Sequence, residues 1–536
     1  MELVYLWVEE YKNIKNQGFN FSPRFTCEFF PEYDENNKLK DNCELKITPK
    51  EHVNIFPTNI NVTAIVGANG AGKSSILEFL NEIFRIEYNK NRNLIVDYDH
   101  VLNFCLAFKI KNTIYAIKSI DNHDTNSFEE SEKIENILEY YHYSNDKSNM
   151  SNQILLDDIS IAKMLIYDYS KNKNFKLSSF MYIPNQISIQ LCDFEKKFEK
   201  LISNDKLYPM SKHESDFVYI ENMSKEVHHQ TDFFHSITDI YHQFLILKLL
   251  EKSEETVAFY LSKSDITEQL SDSELLSEED FKKYFECYKD LLHAPKRDID
   301  TLNSVEKEIY IDKYSDFFEF DFFDEKNRQY SSLSHGEKTL FGQLLNIYYH
   351  SEKSKNDNFL FLFDEPEIAL HPNWQKSYIQ ELSTLTQKLE KNYHFIFASH
   401  SPFLLSDIPK ENVIFLEKDK DGRSKNVTKE TKIETFGANI HTLLSHGFFM
   451  KDGLIGEFAK EKINKAITIL NKQGKLSKSS LAYCEQIISI IGEPILKRQL
   501  QRMLDSKRLY KMDEIDRLKA DISELHQKLK KLENRK

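Results

Sequence analysis

The sequence predicts an α/β protein with a mixed sheet, an antiparallel β subdomain, a helical insertion and a helical C-terminal extension. Three observations predict it. Gly67-Ala68-Asn69-Gly70-Ala71-Gly72-Lys73-Ser74 fits G-x-x-x-x-G-K-[ST] and lies between a β-branched apolar run at 60–66 and a helix-period run at 75–80. A fully apolar run at 359–363 ends in Asp364-Glu365. Another apolar run at 394–398 ends in Ser399-His400.

The first of these carries specific chemistry. In such a loop backbone N–H groups cradle phosphates, Lys73 reaches the β and γ oxygens, and Ser74 holds Mg²⁺. Asn69, Gly70, Gly72 and Ser75 complete the expected cradle, and the N-terminus of the following helix faces the anion. A glycine-rich turn between strand and helix is the bland alternative. Strand, glycines, Lys-Ser and helix in this order argue for a nucleoside triphosphate.

An apolar strand that ends in two acids places both carboxylates at the carboxyl edge of a sheet, where α/β folds keep their ligands. Asp364 suits the Mg²⁺ shell and Glu365 suits polarising an attacking water. By itself such a strand end is common. His400 is placed to contact a γ-phosphate, although a lone histidine after a strand is more often structural. Its weight comes from following Asp364-Glu365 by 35 residues or so. Ser332-Leu333-Ser334-His335-Gly336-Glu337 marks a strand-to-helix junction where Ser334 and Gly336 present a hydroxyl and backbone N–H groups to an anion. Ser-x-x-Glu is also how an ordinary helix begins.

Composition narrows the class. At 536 residues the chain is too long for one core, and 13% aromatic content supplies ample apolar surface. A net charge of −14 argues against coating nucleic acid along its length. The six cysteines (Cys27, Cys43, Cys105, Cys192, Cys287, Cys484) are scattered, which favours reduced thiols over zinc or disulfides. No apolar stretch approaches the ~20 residues of a membrane span, and the N-terminus lacks a signal peptide's basic start, so a soluble, cytoplasmic protein is expected.

In chain order, strands are expected at 3–8, 24–30 and 44–48, with 11–18 as a loop, and a hairpin at 101–109 and 113–118. Residues 121–160 read as loop with some helix, and 180–184 as a short strand leading into Gln186. Charged, helix-forming residues with apolar periodicity at 242–250 and 281–292 predict an insertion over 191–315, in which the acidic 271–280 is a solvated face. Strand character returns at 317–323. The divisions expected are 1–190 and 316–440 as two lobes of one head, 191–315 between them, and 441–536 as a helical module.

The four motifs in this order resemble those of ABC-type ATPases of the SMC, Rad50 and RecF kind, over roughly 1–120 and 180–440. The resemblance implies ATP and Mg²⁺, with Lys73 and Ser74 on phosphates and metal, Asp364 on the metal, Glu365 as catalytic base and His400 as γ-phosphate switch. It implies a homodimer or higher oligomer in which Ser334 and Gly336 act on the nucleotide held by the other copy. Gln186, with Gln190 competing, is the candidate that links the metal to the insertion. His335 departs from the family's small residue, at a position that faces away from the phosphate there.

Asp364-Glu365-Pro366-Glu367-Ile368-Ala369-Leu370-His371-Pro372 with Ser399-His400-Ser401-Pro402 looks like prokaryotic defence ATPases rather than transporters. The opening at 3–14, with 447–449 and 456–459, looks like the Septu and retron-associated ATPases of PtuA type. Those work with an HNH nuclease, and in retrons with a reverse transcriptase and its RNA–DNA product. The expected function is an ATP-driven switch that controls such a nuclease. The alternatives are a DNA repair ATPase and a nucleotide-binding scaffold with little turnover.

Ile515, Leu518, Ile522, Leu525, Leu529 and Leu532 alternate spacings of three and four, an a/d seam short of three full heptads, for which a helix that caps its own domain is the bland reading. Residues 495–536 hold 13 Lys/Arg against 7 Asp/Glu, a net of +6, so DNA, RNA or an acidic partner is a candidate contact. Asp419-Lys420-Asp421-Gly422 resembles a Toprim nuclease D-x-D but reads as a turn, and no nuclease activity is expected of this chain.

Overall fold

The apolar strands are apolar because both of their faces are covered. In the computed structural model β5 (Ile60–Gly67), β15 (Asn358–Asp364) and β16 (Asn392–Ala398) are neighbours in a six-stranded sheet. The structure describes residues 2–40, 42–90, 103–120, 123–126, 138–143, 161, 164–165, 182–191, 207–208, 257–258, 296–302, 318–447, 454–474 and 476–533. The chain divides into two compact units, Met1–Phe449 and Met450–Lys536.

The six-stranded sheet has the order β18-β17-β5-β16-β15-β9, where β9 is Glu139–Tyr143, β17 is Val413–Lys418 and β18 is Ser424–Asn426. All pairings from β17 to β9 are parallel, and β18 closes the far edge antiparallel. Alternation sorts the side chains onto two faces. One face carries Phe359, Phe361 and Phe363 beside Tyr393, Phe395 and Phe397, stacked across the strands at 5.6 Å (Phe361–Phe395) and 5.3 Å (Phe363–Phe397). Helices α2 (His335–Lys353) and α3 (Pro372–Gln387) and the short α4 (Pro402–Leu405) cover it with Leu340, Leu344, Tyr378, Leu382 and Leu404. The other face carries Leu360, Leu362 and Ile396 against Ile76, Phe79, Leu80 and Ile83 of α1 (Lys73–Lys90).

The N-terminal residues build a five-stranded sheet, β2-β1-β6-β7-β8, from β1 (Glu2–Tyr11), β2 (Ile14–Asn20), β6 (Phe104–Ile110), β7 (Thr113–Ile120) and β8 (His123–Asn126). β3 (Phe25–Phe30) and β4 (Glu44–Pro49) form a separate hairpin. β10 (Pro184–Leu191) pairs antiparallel with β13 (Arg297–Asp298) and β14 (Phe318–Asp324). β11 (Leu207–Tyr208) and β12 (Val257–Ala258) make a short parallel ladder.

The second unit packs α5 (Glu457–Asn471), α6 (Lys478–Ile490) and the first half of α7 (Pro494–Glu533) around Ala466, Leu470, Cys484, Ile488, Leu500 and Leu504. Among the described residues no helix is long and apolar enough to cross a membrane.

Three expectations are corrected. Residues 11–18 are not a loop: Tyr11 pairs with Ile14, so the chain reverses over Lys12-Asn13, with Lys12 at φ 50°. The run 15–17 is polar because β2 is an edge strand: Lys15 and Asn16 are exposed, and Gln17 Oε1 accepts from Asn426 N–H at 3.1 Å. Among the described residues of 121–160 there are two strands, of which β9 is buried beside β15. The strand expected at 180–184 begins at Pro184 instead, since a proline without an N–H is tolerated at a strand's first position. The helical runs at 242–250 and 281–292 and the acidic run at 271–280 lie outside the described residues.

His394 joins the N-terminal sheet to the central one. It is fully buried on β16; its Nδ1 accepts from Leu3 N–H at 2.8 Å and its Nε2 lies 2.9 Å from Thr63 Oγ1. The backbone donor at Nδ1 puts the single proton on Nε2, and Thr63 Oγ1 then donates onward to Phe21 O at 2.6 Å. Burial therefore holds the imidazole neutral and pushes its pKa down to about 3. The unfolded chain takes up a proton near pH 6.5 that the folded one refuses. The stability His394 contributes is complete above that pH and declines below it, by about 1.4 kcal/mol per pH unit. His142 and His350, both pushed down to about 4 by burial, act in the same direction. Denaturant midpoints should fall between pH 7 and pH 5, and His394→Asn should flatten that slope.

Candidate active site

Register decides what meets at the sheet edge. Ile65 of β5 lies beside Ala398 of β16, which lies beside Asp364 of β15. The loop after β5, Asp364-Glu365 after β15 and Ser399-His400 after β16 therefore leave the sheet side by side.

The loop from Gly67 to Ser74 needs its glycines. Gly70 and Gly72 adopt φ of 69° and 101°, in the region that side chains other than glycine's rarely enter. A Cβ at Gly67 would lie 2.2 Å from the Leu416 carbonyl oxygen, so only glycine lets β5 and β17 approach there. Asn13, in the β1–β2 turn, braces the loop: its amide donates to Gly70 O at 3.1 Å and its carbonyl accepts from Ser75 Oγ at 3.3 Å. Lys73 is 5% exposed and donates to Gly67 O and Ala68 O, both at 3.3 Å. Burial holds its pKa below the usual lysine value, against the pull of Glu365 and Asp364.

Ser74 Oγ donates to Asp364 Oδ1 at 3.1 Å, which brings together the two oxygen donors expected around Mg²⁺. A hydroxyl and a carboxylate are the hard ligands this ion prefers. Among the described residues no three His, Cys, Asp or Glu side chains converge on a metal position. Burial raises the Asp364 pKa to about 6; the Ser74 hydrogen bond opposes this and neighbouring Glu365 adds to it.

Glu365 stands in a left-handed conformation, φ 49°, unusual for a residue with a side chain. Its N–H donates to Ala398 O at 2.8 Å, tying the two strand ends together. Its Oε1 lies 3.6 Å from His400 Nε2, and both side chains are about one-third exposed, at 33% and 35%. Burial, followed by Lys73, lowers the His400 pKa against the opposing effect of Glu365, so the imidazole is neutral at pH 7. A carboxylate and a neutral imidazole thus face a shared space beside Lys73.

Glu367 is the residue that sequence reasoning missed. Its Oε1 accepts from Ser399 Oγ at 2.5 Å, His400 N–H at 2.9 Å and Ser401 N–H at 3.1 Å. It is 5% exposed, and burial raises its pKa although these donors oppose the rise. One carboxylate from the loop after β15 therefore holds the whole loop after β16. Its position in Asp-Glu-Pro-Glu was visible, but its partners stand 32 to 34 residues away.

Ser334 caps α2 in a capping box: its Oγ accepts from Glu337 N–H at 3.4 Å, and its own N–H donates to Glu337 Oε2 at 3.0 Å. Ser334 and His335 are exposed and Gly336 is buried. Ser334 and Gly336 line an open cleft with Ala369, His371, Asn373 and Trp374, none of which belongs to the 67–75 loop. Gln186 is not brought to Ser74 or Asp364 among the described contacts; its amide donates to Asp298 Oδ1 at 3.1 Å. Gln190 follows on the same strand. Asp419 Oδ1 accepts from Asp421 N–H and Arg423 N–H, and Gly422 has φ 79°, so the D-x-D stretch forms the β17–β18 turn.

These parts define an ABC-type P-loop ATPase head. The chain belongs to the family described as "AAA domain, putative AbiEii toxin, Type IV TA system", whose profile matches residues 62–406. The retron Vc95 probable ATPase of Vibrio cholerae serotype O1 biovar El Tor is 25% identical over 381 residues, covering 66% of this chain and 68% of that protein. The Old nuclease of Escherichia phage P2 is 30% identical over 139 residues, 25% of this chain and 23% of that one. The retron Ec83 probable ATPase of Escherichia coli is 32% identical over 92 residues, 16% of each chain. Among solved structures, the SMC head domain from Thermotoga maritima aligns over 79% of this chain and 97% of its own length, at 13% identity and a TM-score of 0.26.

Glu367→Gln keeps the size of the side chain and removes its charge from three donors. The turnover rate should fall by roughly ten- to a hundredfold, as for other groups that orient a catalytic residue, while ATP affinity and thermal stability change little. Steady-state kinetics with Glu367→Gln, His400→Ala and the double variant check this. The double variant should be barely slower than His400→Ala.

Proposed function

We propose that the chain is an ATP-driven switch in which two copies close around two ATP molecules and control a partner nuclease in antiviral defence. The observation that carries the reading is the Glu365–His400 pair at 3.6 Å beside Lys73 and the Ser74–Asp364 pair, all on one sheet edge. Backbone N–H groups of the loop and Lys73 bind and orient the phosphates. Ser74 and Asp364 would hold Mg²⁺, which when bound neutralises phosphate charge. Glu365 orients the attacking water and accepts its proton, and His400 steadies Glu365 and meets the γ-phosphate.

Ser334 and Gly336 serve the nucleotide of the second copy. Their cleft is lined by residues outside the phosphate loop, and the exposed start of α2 offers an anion its N-terminus. The defence setting is supported by the family description and by the retron relative that shares about two-thirds of each chain's length. An HNH nuclease as the partner, with a reverse transcriptase and its RNA–DNA product where a retron is present, is the finer form of the reading.

Glu365→Gln should bind ATP, barely hydrolyse it, and bring the heads of two copies together in saturating ATP and Mg²⁺. Small-angle scattering with and without ATP, with light scattering for the mass, reads this directly. A Glu365→Gln chain that stays monomeric under those conditions contradicts the reading, and Lys73→Ala should stay unresponsive to ATP.

A further inference from the structure

The second half of α7 carries an apolar stripe that nothing described covers. The first half buries Leu500 and Leu504 at 2% and 1% exposure, whereas Ile515, Leu518, Ile522, Leu525 and Leu529 are 40%, 50%, 55%, 63% and 60% exposed. Residues 515–530 are exposed all round the helix. Most of a protein helix's stability comes from packing an apolar face rather than from propensity.

The stripe fits heptad positions. Ile515, Ile522 and Leu529 fall at a, and Leu518, Leu525 and Leu532 at d. A β-branched residue at a with leucine at d favours two parallel strands, and two of the three a positions comply. The flanking charges are the independent observation. In sequence, g positions hold Glu514, Asp521 and Lys528, and e positions hold Lys519, His526 and Glu533.

In a parallel, in-register pair each g faces the e five residues on in the other strand. The three facing pairs are Glu514 with Lys519, Asp521 with His526 and Lys528 with Glu533, and each sets an acid against a base. An antiparallel pair built on the same core layers would set Asp521 against its own copy and His526 against its own copy. The ion pairs these groups now make within the helix, Lys519–Asp516 at 3.9 Å and Lys528–Glu524 at 2.8 Å, are exposed and weak enough to exchange.

We propose that residues 512–533 pair with the same segment of a second copy of this chain as a parallel two-stranded coiled coil. The contact does not depend on nucleotide and does not rest on the ATPase reading. It would hold two chains together before ATP arrives and raise the effective concentration at which their heads meet.

The test uses the full chain without nucleotide and with chelator, so that failure of the ATP-driven dimer leaves it unaffected. Sedimentation equilibrium should show a dimer, and Leu518→Glu with Leu525→Glu, both exposed positions, should raise its dissociation constant by roughly tenfold or more. Under mild oxidation Leu525→Cys should cross-link to itself, while Arg517→Cys on the outer face should not. A monomer at all concentrations overturns the proposal. Self-association that ignores the double substitution also overturns it, and assigns the stripe to a different occupant. Preferential cross-linking of Asp521→Cys over Leu525→Cys overturns the parallel arrangement.

Discussion

The flush parallel register of β5, β16 and β15 is the constraint on which the rest depends. Each pairing puts the last residues of one strand beside the last of the next, so three loops from distant parts of the chain emerge within reach of one another. Two packed faces enforce it. A slip of one residue would exchange the aromatic face under α2 and α3 for the aliphatic face under α1, and both cores would be lost. His394 fixes the same strand to Leu3 and Thr63 on the N-terminal side, so the antiparallel sheet is anchored to the strand that leads into His400.

Once the strands are aligned, the chemistry becomes one of charge kept apart and held still. Lys73 is buried below its usual basicity and has Asp364, Glu365 and Glu367 as counter-charges. Glu367 gives up its freedom to three donors and so orders the loop that presents His400. Glu365, in its left-handed conformation, is turned toward that histidine and tied back to β16 through Ala398. A backbone conformation this uncommon persists only where its surroundings hold it, and it fixes where the Glu365 side chain points.

Much of this could be read from the chain because its signals are local. The glycine loop, the strands that end in Asp364-Glu365 and in His400, and the Ser334 cap each declare themselves within ten residues or so. The structure brings Lys73, Ser74, Asp364, Glu365 and His400 to one edge, and leaves Gln186 bonded to Asp298 instead. What escaped was long-range. β9 is buried only because β15 lies beside it, and the roles of Asn13 and Glu367 exist only through partners tens of residues away. Polar residues 15 and 16 looked like a loop because an edge strand and a loop face the same solvent.

The central claim is that the phosphate loop is half of a site whose other half comes from a second copy. Mixing two inactive variants tests it most directly: Glu365→Gln, which keeps its signature, and Ser334→Arg, which keeps its carboxylate. A mixed dimer holds one intact composite site, so ATPase activity should reappear on mixing, above that of either variant alone. Activity that stays at the sum of the two separate variants, although the chains are shown to associate, would contradict the account.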